Sequence, residues 1–387
     1  MDLAARAPYV ILASYWGMYA IVILFFSLHL REIGGSYLHV ASLTTVMALA
    51  TLLAVNIWTG LRDAYGRTRP FLVAGTLAMV LTMAVPFVVT GPDAFIVIVA
   101  ALALVHCSVN PLVNAYITVA SGASSGEAAG DLQTAGSGGF FAASLLGGLL
   151  FGMGGVNAAA ILGLVGCGVA VVMAFLIEED DHKEQQVGGM DLSFIFGNRA
   201  LMAVCTISIL LNTARFGFSS LFPLYFISIG GSGSWLGYLN ATATLLAILS
   251  ARRIGRMVGS GGGISIMLAG IGGYLVVFLG MLALPVLPDT SMRLWAVILM
   301  WAFPMYVLTE VPTLSLVANH TSDEERARGM GALTFAYNAG AVIGPLAAGF
   351  LATRTGDFAP AIAFAAVMTV LTLAYGGFAL PRGRDTE

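Results

Sequence analysis

Charge is scarce in this chain. Of its 387 residues only 10% are charged, whereas soluble domains carry about 25%, and 58% are hydrophobic. One lysine, Lys183, stands against sixteen arginines. The net charge of −3 arises from so few groups that no nucleic-acid partner is expected. Cysteine is limited to Cys107, Cys167 and Cys205, an odd number without zinc-ligand spacing, so neither a disulfide framework nor a metal site is expected, only buried thiols. No catalytic triad, metal cluster or cofactor motif occurs, and the expectation is a protein without cofactor or covalent chemistry. The glycine cluster Gly261-Gly262-Gly263 follows no strand pattern, which removes a phosphate-binding loop. The apolar run over 9–30, behind Arg6, is too long for the core of a secretion signal and lacks a small-x-small cleavage site. It reads as a membrane helix.

In place of charge the chain has long apolar runs, with a mean hydropathy of +0.91. Each run is near the length needed to cross a hydrocarbon core of about 30 Å. The pattern predicts twelve spans, at 8–30, 38–60, 70–90, 94–119, 132–153, 156–177, 198–226, 234–252, 263–287, 293–318, 330–352 and 359–380. Continuous rather than alternating apolar character excludes a barrel and leaves helices. With the N-terminus inside, thirteen Lys and Arg residues fall in cytoplasmic segments and three, Arg31, Arg293 and Arg354, in outer ones. That bias places both termini in the cytoplasm. The polar stretch 178–197, with Glu178-Glu179-Asp180-Asp181-His182-Lys183-Glu184, reads as a cytoplasmic linker between bundles at 1–177 and 198–387. The halves also look alike. The segment from Phe26 to Ser36 and the segment from Phe222 to Ser232 agree at six of eleven positions at an offset of 196.

Between the second and third spans lies the polar loop Gly60-Leu61-Arg62-Asp63-Ala64-Tyr65-Gly66-Arg67-Thr68-Arg69-Pro70. It resembles the signature loop between the second and third helices of the major facilitator superfamily (MFS) of secondary transporters, with Gly60, Asp63, Gly66, Arg67 and Arg69 matching. A second-half counterpart, Gly255-Arg256-Met257-Val258-Gly259-Ser260-Gly261, has Val258 in place of the acid. In span eleven, the segment from Gly340 to Gly349, containing Gly344-Pro345, resembles the family's glycine-proline motif. The equivalent part of span five lacks the Gly-Pro pair of drug-proton antiporters, and span four lacks their arginine, with His106 nearby. The resemblance implies two six-helix bundles, alternating access and a cavity lined by spans one, four, seven and ten. It also implies gating roles for Gly60, Asp63, Gly66, Arg67, Arg69, Gly344 and Pro345. Asp63 would sit at the N-terminus of span eleven, favoured by the helix dipole, and Arg67 would pair with Glu127 or Asp131. The bland reading of the loop is an anchor of ordinary surface charges. Gly340/Gly344 and Gly148/Gly152 read best as helix-packing positions.

Polar residues at membrane depth are costly unless they face a cavity or a partner. Arg215 falls in span seven, Glu310 in span ten and His106 in span four. Helical spacing puts His106, Asn110 and Asn114 on one stripe, Ser208, Asn212, Arg215 and Ser219 on a second, and Tyr306, Glu310 and Thr313 on a third. Span one adds Tyr15 and Tyr19. The candidate substrate-binding set is therefore Arg215, Glu310, His106, Asn110, Asn114, Asn212, Tyr15, Tyr19 and Tyr306. Glu310 and His106 are candidates for proton coupling, because burial disfavours an ionised group. His106 reads equally as a packed, hydrogen-bonded histidine. Counting from the span ends separates Arg215 and Glu310 by roughly 10 Å in depth at 1.5 Å per residue. Water or substrate is thus expected to bridge them, and a direct structural ion pair is the alternative.

The expected protein is a multi-pass plasma-membrane carrier, monomeric in the bilayer, moving a small organic solute of anionic character, with protons as the coupling partner. The rival reading is efflux of drugs or amphipathic compounds by proton antiport, with Glu310 as the recognition charge. A transport-inactive sensor or scaffold is the least favoured.

Overall fold

The computed structural model describes residues 3–120, 125–177, 197–322 and 325–380, and among these there is helix and turn but no strand. The chain divides into two compact units, one of 1–186 with 223–245, the other of 187–222 with 246–387. In the first lie α1 (Leu3–Ile21), a π-turn at Val22–Phe26, α2 (Ser27–Glu32), α3 (Tyr37–Tyr65), α4 (Arg69–Val88), α5 (Pro92–His106), α6 (Val109–Ala120) and α7 (Ser125–Phe175). The next helices are α8 (Arg199–Ser219), α9 (Phe222–Ser228), α10 (Gly233–Met257), α11 (Gly263–Ala283), α12 (Thr290–Ala302), α13 (Met305–Asn319), α14 (Arg326–Thr355) and α15 (Ala359–Ala379). Most of the acidic stretch 178–197 lies outside the described residues.

Ten described segments are long and apolar enough to cross a membrane. Two of them, Gly130–Phe175 and Gly233–Val286, run 46 and 54 residues. At 1.5 Å per residue each is about twice the length of a single crossing or more. Each is broken by glycine. In α7, Gly154 and Gly155 leave helical geometry, Gly155 at φ 63°, and after α10 Gly261 takes φ 94°. Along α7, Gly147 lies beside Phe25, yet Gly163, further along the chain, lies back beside Ile21 and Met83. The helix direction therefore reverses at the break.

Proline interrupts three spans that the sequence pattern reads as continuous. Span four is divided between α5 and α6, span seven between α8 and α9, and span ten between α12 and α13. Pro111, Pro223 and Pro304 lack the N–H that would bond back to the carbonyl four residues earlier, and each ring crowds that carbonyl. Phe303 ahead of Pro304 is accordingly extended, at φ −74° and ψ 124°.

The signature loop is shorter than its polar residues suggest. Helix α3 continues through Gly60 to Tyr65, and the turn is Gly66-Arg67-Thr68 alone. The residues from Leu61 to Tyr65 contain no helix breaker, so the helix stops only where Gly66 adopts the left-handed cap at φ 64° and donates to the Arg62 carbonyl at 2.8 Å. The Asp63 side chain, like that of Glu127, lies outside the described residues. Arg67 and Asp131 are both exposed, and no ion pair joins them.

The internal repeat is visible in the backbone. Gly35 donates to Leu30 O at 2.7 Å and Gly231 to Phe226 O at 2.9 Å, both partners moving by 196 residues. Gly34 and Gly230 carry φ of 89° and 94° at the same offset. The helix contacts repeat too. A Cβ on Gly139 of α7 would strike the Ala13 carbonyl of α1, and one on Gly340 of α14 would lie 2.7 Å from the Ile209 carbonyl of α8.

The α8–α14 contact is backbone against backbone. A Cβ on Gly344 would collide with the Thr213 carbonyl and lie 2.9 Å from Gly217 N. In a bilayer, apolar helices gain little by leaving lipid, so such close packing carries much of their association. Around it Leu201, Val204, Ile207 and Leu211 of α8 form a core with Met267 and Ile271 of α11, Leu316 of α13 and Leu333 and Ala336 of α14. In the first unit Gly148 and Gly237 play the same part between α7 and α10, where a Cβ on Gly237 would sit 2.6 Å from Gly148 Cα.

Gly344→Val is expected to destabilise the protein by about 3 kcal/mol or more, since a backbone carbonyl cannot give way as a side chain can. Gly60→Ala, whose Cβ meets nothing within 4 Å, should instead be neutral or stabilise by about 0.5–1 kcal/mol. Thermal melting of both purified variants checks this, and equal melting temperatures would contradict the contact analysis.

Candidate functional site

The second unit brings Arg215, Glu310 and Tyr337 together on three helices. Arg215 Nη1 donates to Glu310 Oε1 at 2.7 Å, and Arg215 Nη2 donates to the Tyr337 hydroxyl at 2.8 Å. The Arg215 side chain is 17% exposed and that of Glu310 38%. The two charges therefore meet directly, as in the alternative reading of their spacing rather than the bridged one. Two physical reasons account for it. Counting residues assumes an unbroken helix, whereas α13 starts afresh after Phe303-Pro304. Both side chains are also long enough to close several ångströms of axial offset.

Aromatic rings enclose the guanidinium. Its Cζ lies 4.9 Å from the Phe216 centroid, 5.4 Å from Tyr337 and 5.9 Å from Tyr306. Tyr274 of α11 interacts with both Arg215 and Glu310. Beyond it Phe222 stacks on Trp301 with centroids 3.6 Å apart, and Phe218 abuts both rings and Phe278. Ring faces attract a cation, by up to about 2 kcal/mol when desolvated.

The polar stripe of span seven is divided between two surroundings. Asn212, 4% exposed, faces Gly340 of α14 and donates to Ser208 O at 2.8 Å. It belongs to the helix contact, whereas Arg215, Phe216 and Ser219 keep partial exposure. Gly344 and Pro345 likewise lie in or next to the α8–α14 contact.

In the first unit the stripe of span four is split by the break after α5. His106 is fully buried, its Nε2 has no hydrogen-bond partner, and its Nδ1 lies 3.9 Å from Cys107 Sγ. Tyr15, 4% exposed, points its hydroxyl at the same sulfur at 3.8 Å, and Thr51 does so at 3.5 Å. Asn110 and Asn114 sit on α6, half-buried and joined at 3.1 Å from Asn114 Nδ2 to Asn110 Oδ1. Tyr19 is half-buried against a core cluster that includes Ala50, Ala103 and Cys107. His106 and the Asn110–Asn114 pair thus stand on different helices, the first buried and the second half-exposed.

The 196-residue offset relates these groups. Tyr19 corresponds to Arg215, Asn110 to Tyr306 and Asn114 to Glu310. Neutral groups in the first unit occupy the positions of the charged pair in the second. Tyr337 and Tyr274 escape a reading of the sequence based on polar stripes. A signal existed for Tyr337, which precedes Gly340 and Gly344 by three and seven residues and so shares their helix face.

A family model of the Major Facilitator Superfamily matches residues 9–324 and 308–387. No curated protein sequence matches the chain. Among solved structures, the nucleoside transporter NupG superposes with a TM-score of 0.80 at 14% identity, covering 99% of this chain and 100% of that one. A peptide transporter POT in complex with alafosfalin gives 0.74 at 14% identity, with 98% and 93% covered. A D-xylose-proton symporter gives 0.73 at 12% identity, with 98% and 97% covered. At such identities these likenesses speak for the fold alone. With the family match extending over nearly the whole chain, the protein belongs to the major facilitator superfamily of membrane transporters.

Proposed function

We propose that this multi-pass membrane protein is a secondary transporter that moves a small organic anion together with a proton by alternating access. The observation that carries the reading is the partly exposed pair of Arg215 and Glu310, held by Tyr337 within an aromatic wall. As found, the pair is electrically neutral. An incoming carboxylate competes with Glu310 for the guanidinium, whose fork of donors suits a planar anion. The displaced Glu310 carboxylate then lacks a partner in a partly desolvated site, where a lone charge carries a cost. Taking up a proton relieves that cost, so anion and proton travel together. Tyr337 keeps its bond to Arg215 while Glu310 leaves, and the guanidinium stays in place.

In this reading the ten apolar segments make twelve spans, the glycine-broken ones counting twice, with both termini cytoplasmic and bundles at 1–177 and 198–387. Asp63, Arg67 and Arg69 serve the gate, and Gly344 with Pro345 serves the packing on which the gate acts. His106 is structural in this scheme, consistent with its complete burial. One observation favours a second reading: Glu310 is more exposed than Arg215, as a recognition charge for a cationic solute would be.

Arg215→Gln and Glu310→Gln should each destabilise the protein by about 1–2 kcal/mol, less than for a fully buried pair because Glu310 is partly solvated. The double substitution should recover most of that loss, yet none of the three should accumulate solute under a pH gradient. Arg215→Lys should fold normally and bind an organic acid weakly. Thermal melting with uptake into proteoliposomes reads both quantities, and transport by the double variant would show the pair to be purely structural.

Glu310→Gln should also abolish proton-driven accumulation while substrate exchange survives, since exchange moves no net proton. Comparing accumulation under a pH gradient with counterflow in the same vesicles tests this. Unchanged accumulation in Glu310→Gln would remove the glutamate from the coupling scheme.

A further inference from the structure

The second half of α10 carries a group of charges that the transport site does not use. Arg252, Arg253 and Arg256 are all exposed, and none of them forms an ion pair with an acid among the described residues. Arg252 and Arg256 stand four residues apart on one helix, a spacing at which like charges repel. The helix C-terminus offsets part of that repulsion through its dipole, but three guanidinium groups with no acidic partner among the described residues, in little more than one turn, still call for an anion.

The surroundings say which anion. Leu246 and Leu249 precede the arginines on the same helix and are 39% and 68% exposed. At 3.6 residues per turn, Leu246, Arg252, Arg253 and Arg256 all lie within about 60° of Leu249 around the axis. One face of α10 is therefore apolar and outward-facing for a turn and then abruptly cationic. Met257, 50% exposed, borders the arginines, and the helix gives way to a turn at Gly261, with φ 94°. In a membrane protein such a face meets acyl chains along its leucines and headgroups at its arginines, about 6 Å further along the axis from Leu249 to Arg253 at 1.5 Å per residue.

We propose that the C-terminal end of α10 is a binding site for an anionic phospholipid, whose phosphate is gripped by Arg252, Arg253 and Arg256 and whose acyl chain lies along Leu246 and Leu249. Arginine suits this task because its planar donors engage phosphate oxygens in pairs. The chemistry would also accept a free phosphate, but the leucine stripe has a role only if an acyl chain is attached. The proposal does not depend on which solute the carrier moves.

The test uses the full chain in nanodiscs of equal parts phosphatidylglycerol and phosphatidylcholine, with retained lipid counted by native mass spectrometry. The wild type should retain phosphatidylglycerol in preference. Arg253→Gln should reduce that preference about fivefold, the effect expected of one arginine near an anionic surface. Joint replacement of Arg252, Arg253 and Arg256 by Gln should eliminate it. Replacing Arg293 and Arg354 by Gln should change nothing. Equal retention of the two lipids by the wild type overturns the proposal, as does an undiminished preference in Arg253→Gln. Displacement of phosphatidylglycerol by inorganic phosphate at equal concentration overturns it as well, because the site would then recognise a free anion. The single variant keeps the test decisive should the triple variant fail to fold.

Discussion

The close approach of α8 and α14 is the constraint on which the second unit depends. Gly340 and Gly344 let the α14 backbone touch the carbonyls of Ile209 and Thr213, closer than any side chain would allow. Helices in lipid have little hydrophobic reason to associate, so contact of this kind substitutes for a water-driven core. It also fixes the site. Tyr337 lies on the same face of α14 as the two glycines, so the packing that brings Gly340 against Asn212 delivers the Tyr337 hydroxyl to Arg215. The donor geometry around Arg215 is thus set by helix packing before any solute arrives.

Glu310 is held differently. It stands on α13, which begins after the extended Phe303 and Pro304 and carries a second proline, Pro312. The guanidinium is therefore anchored on one side by a tightly packed helix and on the other by a half-helix that starts at a break. One partner on a tightly packed helix and one on a half-helix would suit the exchange of counter-ion proposed for Arg215. The first unit repeats the glycine contact, between α1 and α7, and repeats the span break after His106, but places Tyr19 and Asn114 where the charges would be. The glycine contact and the span break recur in both halves, and among the described residues the positions related by the repeat are charged in the second and neutral in the first.

Much of this was legible in the sequence, for identifiable reasons. Membrane-length apolar runs and a signature loop depend on composition and short-range order, and the family follows from them. The 196-residue repeat was visible because glycine at positive φ tolerates few replacements, so Gly34 and Gly230 kept their places. The meeting of Arg215 and Glu310 was legible only as the less favoured of two readings, because depth counted along a straight helix is unreliable where proline divides the span. The burial of His106 was not legible either, because four-residue spacing does not show that a break at Cys107 and Ser108 separates it from Asn110 and Asn114. Tyr337 lies in span eleven, outside the four spans expected to line the cavity, and its importance comes from the glycines that share its helix face.

The central claim is that Arg215 is the group a solute engages. Its most direct test is ligand-induced thermal stabilisation of the purified wild type and of Arg215→Gln against matched panels of organic acids, amines and sugars. A ligand at about 100 times its dissociation constant adds about 2.7 kcal/mol of stability, well within reach of a melting assay. The account predicts that organic acids alone stabilise the wild type and that Arg215→Gln responds to none of them. Stabilisation by amines or sugars, or an unchanged response to acids in Arg215→Gln, would contradict it.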